Sequence, residues 1–286
     1  MKSGFVAVAG RPNVGKSTLV NALCGGKVAI VSDKPQTTRR RIAGVANGDG
    51  YQLVLLDLPG FQRPLDPLTE RMQRTVERAF EDVDGVLFVL SARERIGGGD
   101  RFIAQRVFAL GVPVVIALNK VDRLKPGHIA TQMDTASKLG DFHALHPVSA
   151  KTGDGVADLE AELVELLPEG PPYFPPEQRT DLPLEAQVAE LVREKALELT
   201  REEVPHAISV EVEELGDKVV RASLYVETDS QKQIVVGRGG SVVKQIGVRA
   251  RPEIEPLLGH PIFLELQVKV RPKWRRDEQL LERLGL

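Results

Sequence analysis

The chain is short of cysteine, of aromatic residues and of long apolar runs, and each shortage excludes a class. A single cysteine, Cys24, among 286 residues cannot close an internal disulfide, and no cysteine–histidine grouping has zinc spacing. His143 and His146 stand three apart with no cysteine nearby, so they do not read as metal ligands. No hydrophobic stretch approaches the ~18–20 residues that span a bilayer. The longest, residues 112–118, reads as a buried strand. The start, Met1-Lys2-Ser3-Gly4-Phe5, lacks a signal peptide's apolar stretch and small-residue cleavage site. Aromatics make up 5 % of the residues, and Phe5, Phe88, Phe102 and Phe108 read as packing groups rather than a platform for stacking bases. Repeats and low-complexity tracts are absent. These shortages point to a reducing, cytoplasmic interior. A 42 % hydrophobic and 27 % charged composition suits a soluble globular chain, and the length suits two domains.

The formal charge of −2 conceals a division. Residues 177–229 hold 6 Lys/Arg against 14 Asp/Glu, and residues 232–276 hold 10 Lys/Arg against 3 Asp/Glu. Segregation of this kind fits a face built to meet a polyanion, or two solvated faces that differ in sign.

Up to residue 167, apolar strand-length runs (5–9, 53–56, 86–90, 112–118 and the short 147–148) alternate with helical patterns at 16–23, 68–80, 101–110, 129–139 and 156–167. That alternation predicts an α/β domain, a mainly parallel sheet with helices on both faces, over residues 1–168. In such sheets ligands sit in the loops after the strands' carboxyl ends. Five prolines in the nine residues 168–176 then predict an extended, semi-rigid connector, placed at 169–180. Residues 181–286 change pattern: a helix over 184–200, alternating strands at 207–213 and 219–227, a helix over 241–258 complicated by Pro252 and Pro256, and an alternating run at 262–270. The order is α-β-β-α-α-β, a small α+β domain.

Gly10-Arg11-Pro12-Asn13-Val14-Gly15-Lys16-Ser17, with Thr18 next, fits G-x-x-x-x-G-K-[ST] between a strand and a helix. The glycines let backbone N–H groups turn toward phosphate oxygens, and the helix N-terminus adds positive charge. Lys16 would reach the β- and γ-phosphates and Ser17 would offer a hydroxyl to Mg²⁺. Asp57-Leu58-Pro59-Gly60 ends another strand. There Asp57 can hold Mg²⁺ through water, and the Gly60 N–H can sense a γ-phosphate. Asn119-Lys120-Val121-Asp122 ends a third strand, where the Asp122 carboxylate can accept from guanine N1–H and the 2-amino group. Adenine lacks that donor pair, so its rejection is built in. Ser149-Ala150-Lys151 suits the far side of the base.

In this order the four motifs resemble the guanine-nucleotide domain of P-loop GTPases. The resemblance makes Gln36-Thr37-Thr38-Arg39 the first switch, with Thr38 as the Mg²⁺-binding hydroxyl and Thr37 as the alternative. Lys16, Thr38 and Gly60 then become the catalytic set. Ras-like enzymes orient the attacking water with a glutamine where this chain has Phe61; Gln62 follows one residue on. Phe61 is similar to the hydrophobic replacement in a large group of GTPases. Some of these hold K⁺ through the asparagine matching Asn13, which implies slow intrinsic turnover accelerated by K⁺ or a partner.

In the carboxyl-terminal domain, Gly237-Arg238-Gly239-Gly240 lies between an apolar segment and an amphipathic helix. With the element order, this resembles a KH domain of the second topological type, whose G-x-x-G loop admits an RNA backbone while bases lie in an apolar groove. Propensity makes residues 231–236 a strand; the family pattern makes them a short helix, and the pattern is followed here. Arg238, Lys244, Arg249 and Arg251 lie near the loop, and Lys269, Arg271, Lys273, Arg275 and Arg276 cluster beyond the last strand, all suited to phosphates. Trp274 either joins that cluster or anchors a terminal helix.

A GTPase domain, a proline-rich connector with Tyr173-Phe174-Pro175, and a KH domain ending in Trp274…Asp277-Glu278…Leu284-Gly285 together resemble the Era family of ribosome-associated GTPases. Leu58 and Phe61 depart from the threonine and leucine common there. The resemblance implies binding of GTP and GDP, contact with the 3′ end of 16S ribosomal RNA in the small (30S) subunit, a role in that subunit's assembly, nucleotide-gated RNA binding, and loose association of a monomer with the cytoplasmic membrane face. Two other classes compete with a nucleotide-gated enzyme: an RNA-binding scaffold with a vestigial GTPase, and a membrane-associated GTPase whose second domain binds protein.

Overall fold

The computed structural model describes residues 1–34, 36–61 and 64–286; Gln62, considered above, lies outside them. The chain forms two compact units. One comprises Met1–Ala29, Thr38–Pro64 and Thr69–Asp181; the other comprises Ile30–Thr37, Leu65–Leu68 and Leu182–Leu286.

The first unit runs β1 (Lys2–Ala9), α1 (Lys16–Leu23), β2 (Ile42–Gly48), β3 (Tyr51–Asp57), α2 (Pro67–Ala79, whose first residues group with the second unit), β4 (Gly85–Ser91), α3 (Gly98–Phe108), β5 (Val114–Asn119), α4 (Pro126–Ala136), β6 (Ala144–Pro147) and α5 (Val156–Glu165). The sheet order is β2-β3-β1-β4-β5-β6, and every pairing is parallel except β2 with β3. Strand alternation sorts side chains into two cores. Val6, Val8, Leu53, Leu55, Leu87 and Val89 face α1 and α5. Ala7, Ala9, Val54, Leu56, Phe88 and Leu90 face α2, α3 and α4. Each fully buried Leu or Val contributes about 1.5–3 kcal/mol, so both faces must be covered for the sheet to hold.

β2 was not among the expected strands. Its sequence, Ile-Ala-Gly-Val-Ala-Asn-Gly, has little β-propensity, and pairing with β3 through the two-residue turn Asp49-Gly50 makes it extended.

The proline-rich segment bends at Tyr173–Phe174, turns at Pro175–Gln178 and is tied to the sheet along its length. Buried Gln52 accepts from the N–H of Tyr173 (2.7 Å) and Phe174 (3.0 Å) and donates to the Phe174 carbonyl (2.8 Å). Thr180 bridges Gly44 on the open edge of β2, and Asp181 accepts from the Ala43 N–H at 2.9 Å. The sheet edge is thereby covered.

The second unit holds α6 (Leu184–Leu199), α7 (Val204–Ala207), β7 (Ser209–Leu215), β8 (Val219–Val226), α8 (Asp229–Val236), α9 (Ser241–Leu258), β9 (Phe263–Val270) and α10 (Glu278–Arg283). β8 pairs antiparallel with β7 and parallel with β9. Val188, Val192 and Ala196 of α6 and Ile246, Ala250 and Ile254 of α9 cover Val220, Ala222, Leu224 and Val226 of β8. α9 continues through Pro252 and Pro256, both on its exposed side, because the buried Ile246–Ala250–Ile254 row holds it to the sheet. Residues 231–236 are helical. A capping box fixes the start of α8: Thr228 Oγ1 accepts from Gln231 N, and Gln231 Oε1 accepts from Thr228 N.

Candidate nucleotide pocket and nucleic-acid interface

The turn from β1 into α1 carries the first motif. Gly15 has φ 100°, and a Cβ there would lie 2.4 Å from Asn119 Nδ2, so the position requires glycine. As N-cap residue it brings no side chain, and the first-turn amides of α1 stay available to an anion. Lys16 folds back so that Nζ donates to the carbonyls of Gly10 (3.2 Å) and Arg11 (3.1 Å). Burial pushes its pKa down to about 8, against the attraction of Asp57. Thr18 is half-buried in the first turn of α1.

Three oxygens from three elements converge beside this loop. Ser17 Oγ donates to Asp57 Oδ2 at 2.7 Å, Thr38 Oγ1 donates to the same oxygen at 3.2 Å, and the two hydroxyls are 3.0 Å apart. The other carboxylate oxygen, Asp57 Oδ1, is buried without a hydrogen-bond partner. Burial raises the Asp57 pKa, opposed by Lys16 and by the hydrogen bonds of Ser17 and Thr38. Thr37 is turned elsewhere, its hydroxyl donating to the Lys34 carbonyl at 2.6 Å. Gly60 lies against Pro12 of the phosphate loop. The Phe61 ring stacks on Phe80 at 6.0 Å and packs on the α2–α4 side of the sheet.

At the other end of the pocket Asn119 works as a brace. Its Nδ2 donates to the Val14 carbonyl (3.0 Å), and its Oδ1 accepts from the N–H of Lys120 (2.8 Å) and Ala150 (3.0 Å). Lys120 Nζ donates to the Asn13 carbonyl. Ser149, fully buried, donates to Asp122 Oδ1 at 3.1 Å. Lys151 is exposed in the loop that follows. The loops after β1, β5 and β6 are thus locked to one another, and Asp122 is oriented before any base arrives.

The second site is a groove of about 290 Å³ between α9 and β9. Its lining includes Val248, Phe263 and Leu266 together with the basic Lys244 and Arg251. Phe263 is 64 % and Val248 57 % exposed, an apolar surface that water covers poorly. Sequence reading expected a groove but named none of these apolar residues; the available signals were an exposed Val on an amphipathic helix and a Phe at the start of an edge strand. Arg238 and Gly237–Gly240 join α8 to α9 beside this helix, with Gly237 at φ 73° and Gly239 at φ 60°.

The basic residues do not all gather there. Arg249 lies 3.7 Å from Glu198, and Arg251 lies 3.5 Å from Glu255. Lys269 of β9 donates to Glu213 of β7 at 2.5 Å across the intervening strand β8. Arg271 pairs with Asp277 at 2.8 Å, and Arg275 with Asp66 at 2.8 Å. Lys273 sits in the turn before a short 3₁₀ segment. Trp274 is fully buried, its Nε1 donating to the Ala207 carbonyl at 2.7 Å, which decides for an anchoring role. His143 and His146 both face Glu162, at 3.1 and 3.3 Å. No helix among the described residues is long and apolar enough to cross a membrane.

Comparison with known proteins identifies both domains. A family described as 50S ribosome-binding GTPase matches residues 5–120, and the KH domain family matches residues 203–275. GTPase Era of Lactobacillus helveticus is 46 % identical over 289 residues, covering 99 % of this chain and 96 % of the relative. A crystal structure of Era in complex with MgGDPNP and nucleotides 1506–1542 of 16S ribosomal RNA matches at TM-score 0.96 and 40 % identity, covering 100 % of this chain and 99 % of that one. A single-residue variant of Aquifex aeolicus Era bound to GDP·AlF₄⁻ matches at TM-score 0.95 and 40 % identity, with the same coverage. Matched over its full length at this identity, the chain belongs to the Era family of GTPases.

Proposed function

We propose that the protein binds GTP with Mg²⁺, hydrolyses it slowly, and uses its nucleotide state to gate capture of the 3′ end of 16S ribosomal RNA during small-subunit assembly. The observation that carries the first part is the meeting of Ser17, Thr38 and Asp57 with one carboxylate oxygen left unbonded. Hard oxygen donors beside a phosphate loop suit Mg²⁺, which takes oxygen ligands and keeps several waters. Ser17 and Thr38 would hold the ion, with Asp57 acting through water; bound there, it would neutralise charge on the β- and γ-phosphates.

The chain's own residues divide the remaining work. Lys16 and the open amides of α1 hold the phosphates. The Gly60 N–H meets the γ-phosphate, and Asp122, oriented by Ser149, selects guanine. Asn119, Lys120 and Ala150 keep the base loops in place, and Thr18 and Lys151 flank the nucleotide. Phe61 offers no polar group to orient water, and this underlies the slow turnover. K⁺ held partly by Asn13 would supply charge to the transition state.

For RNA, the groove of Val248, Phe263 and Leu266 would receive unstacked bases while Gly237–Gly240, Arg238, Lys244, Arg249 and Arg251 track the backbone. Lys269 and Arg271 would extend that path by exchanging Glu213 and Asp277 for phosphates, with Lys273 beyond them. The solved Era relative bound to nucleotides 1506–1542 supports this RNA as the target. The protein would act as a cytoplasmic monomer; loose membrane association follows from the family alone.

Single-turnover GTP hydrolysis in matched K⁺ and Na⁺ buffers, with and without the 3′ RNA, tests the enzyme. Hydrolysis faster in K⁺, or with RNA, is expected. Equal rates in the two salts remove the potassium assignment, and no hydrolysis under any condition leaves the scaffold reading.

A further inference from the structure

Beyond its first turn, helix α6 carries Glu190, Arg193, Glu194, Lys195 and Glu198, and the first four are buried. Their contacts form two groups that meet at the adjacent helix positions 193 and 194. At one end Arg193 Nη2 donates to the Thr37 carbonyl while Glu190 holds the same nitrogen at 2.6 Å and Nε at 3.2 Å. Beside it, Glu194 Oε1 accepts from the Val31 N–H at 2.9 Å. In the middle, the other Glu194 oxygen lies 2.9 Å from Lys195 Nζ. At the far end Lys195 reaches Glu253 of α9 at 2.6 Å and Glu198 at 3.1 Å, and Glu198 reaches Arg249 of α9 at 3.7 Å. α9 starts at the G-x-x-G loop and contributes Lys244, Val248 and Arg251 to the groove. Every one of these residues, Val31 and Thr37 included, belongs to the second compact unit.

Packing does not call for such a ladder. Replacing a buried ion pair with apolar groups of similar volume is often neutral or stabilising, whereas removing one partner strands the other. Charges buried at the helix and paired with one another polarise their neighbours, so displacing one partner is felt by the rest. Thr37 is covalently joined to Thr38, whose hydroxyl sits with Ser17 and Asp57. Whatever fixes Thr38 therefore fixes the carbonyl that Arg193 grips.

We propose that the Glu190–Arg193 pair and the Glu194–Lys195–Glu253 chain, side by side on α6, form a ladder that couples Thr37 and Val31 to α9, and so carries the nucleotide state to the RNA groove. This rests on the gating proposed above and assigns it a physical route. Arg193, Glu194 and Lys195 act as positioning residues; none is placed against nucleotide or RNA.

The test is a linkage cycle on the full chain. A fluorescent oligonucleotide of the 16S 3′ end is titrated with protein loaded with GDP or with a non-hydrolysable GTP analogue, in wild type, Lys195→Met and Arg193→Lys. Typical coupling predicts about a tenfold difference between the two nucleotides in wild type. In Lys195→Met that difference collapses toward unity, while each nucleotide alone binds as in wild type. Arg193→Lys keeps the charge and a donor, and retains part of the difference. Linkage requires the same collapse in the effect of RNA on nucleotide affinity. Equal RNA affinities in wild type overturn the gating itself. A wild-type difference kept in full by Lys195→Met overturns the ladder alone. Should Lys195→Met fail to fold, Glu253→Gln breaks the same contact from α9 and is read in the same way.

Discussion

Ser17 Oγ lies 3.0 Å from Thr38 Oγ1 although 21 residues separate them, and both hydroxyls reach one oxygen of Asp57. Thr37, one residue earlier, is spent on the Lys34 carbonyl. The two threonines should therefore separate cleanly. Thr38→Ala should lower affinity for a GTP analogue by about tenfold, the worth of one hydrogen bond to a charged group, in Mg²⁺ but not in EDTA. Thr37→Ala should leave the Mg²⁺-dependent part intact. Titration of a fluorescent analogue with and without EDTA reads both, and equal losses from the two variants contradict the assignment.

Lys16 gives a pH dependence of known sign. Its folded pKa of about 8 lies below the ordinary 10.5, so between those values the unfolded chain holds more protons. The apo protein's stability from this group rises with pH across that window and is flat below it. A triphosphate beside the ammonium favours the charged form and raises its pKa. Nucleotide binding should then take up a proton above about pH 8 and weaken as the pH climbs. Calorimetry in buffers of different ionisation enthalpy measures the uptake. Lys16→Arg, charged throughout, should lack it, and identical proton uptake in both proteins contradicts the account.

Gly239 has φ 60° and open space where a Cβ would stand. Aspartate tolerates that backbone better than most residues. Gly239→Asp should therefore fold and bind GTP normally while its added negative charge repels an RNA phosphate. Filter binding across a salt series should show weakened RNA affinity. Loss of GTP binding in this variant would falsify the separation of the two sites.

Trp274 is the chain's one tryptophan, and its indole N–H satisfies the Ala207 carbonyl inside the second unit. Trp274→Phe should cost about 1–3 kcal/mol by leaving that carbonyl unpaired, and Trp274→Ala about 3–5 kcal/mol. Denaturant unfolding followed by circular dichroism checks both. Stability unchanged in Trp274→Ala contradicts the anchoring role.

How far the fold could be read from sequence follows from where its information lies. Residues 5–9, 53–56 and 86–90 declare themselves as strands because both faces are buried, and the motifs after them mark the pocket. β2 escaped because Gly44, Gly48 and two alanines carry no propensity; the Asp49-Gly50 turn was the usable signal. The helix at 229–236 looked like a strand by its β-branched run, while Thr228 and Gln231 carried the decisive cap. Lys269 and Arg271 read as phosphate ligands because they cluster in sequence; their pairing with Glu213 and Asp277 left no local trace there. The Arg193–Thr37 contact joins positions 156 residues apart and left no local trace.

The most direct test of the whole account is the affinity of the 16S 3′ oligonucleotide for the wild-type protein in its two nucleotide states. Binding tighter with the GTP analogue and Mg²⁺ than with GDP, by at least about fivefold, is the predicted result. The same affinity in both states would contradict it.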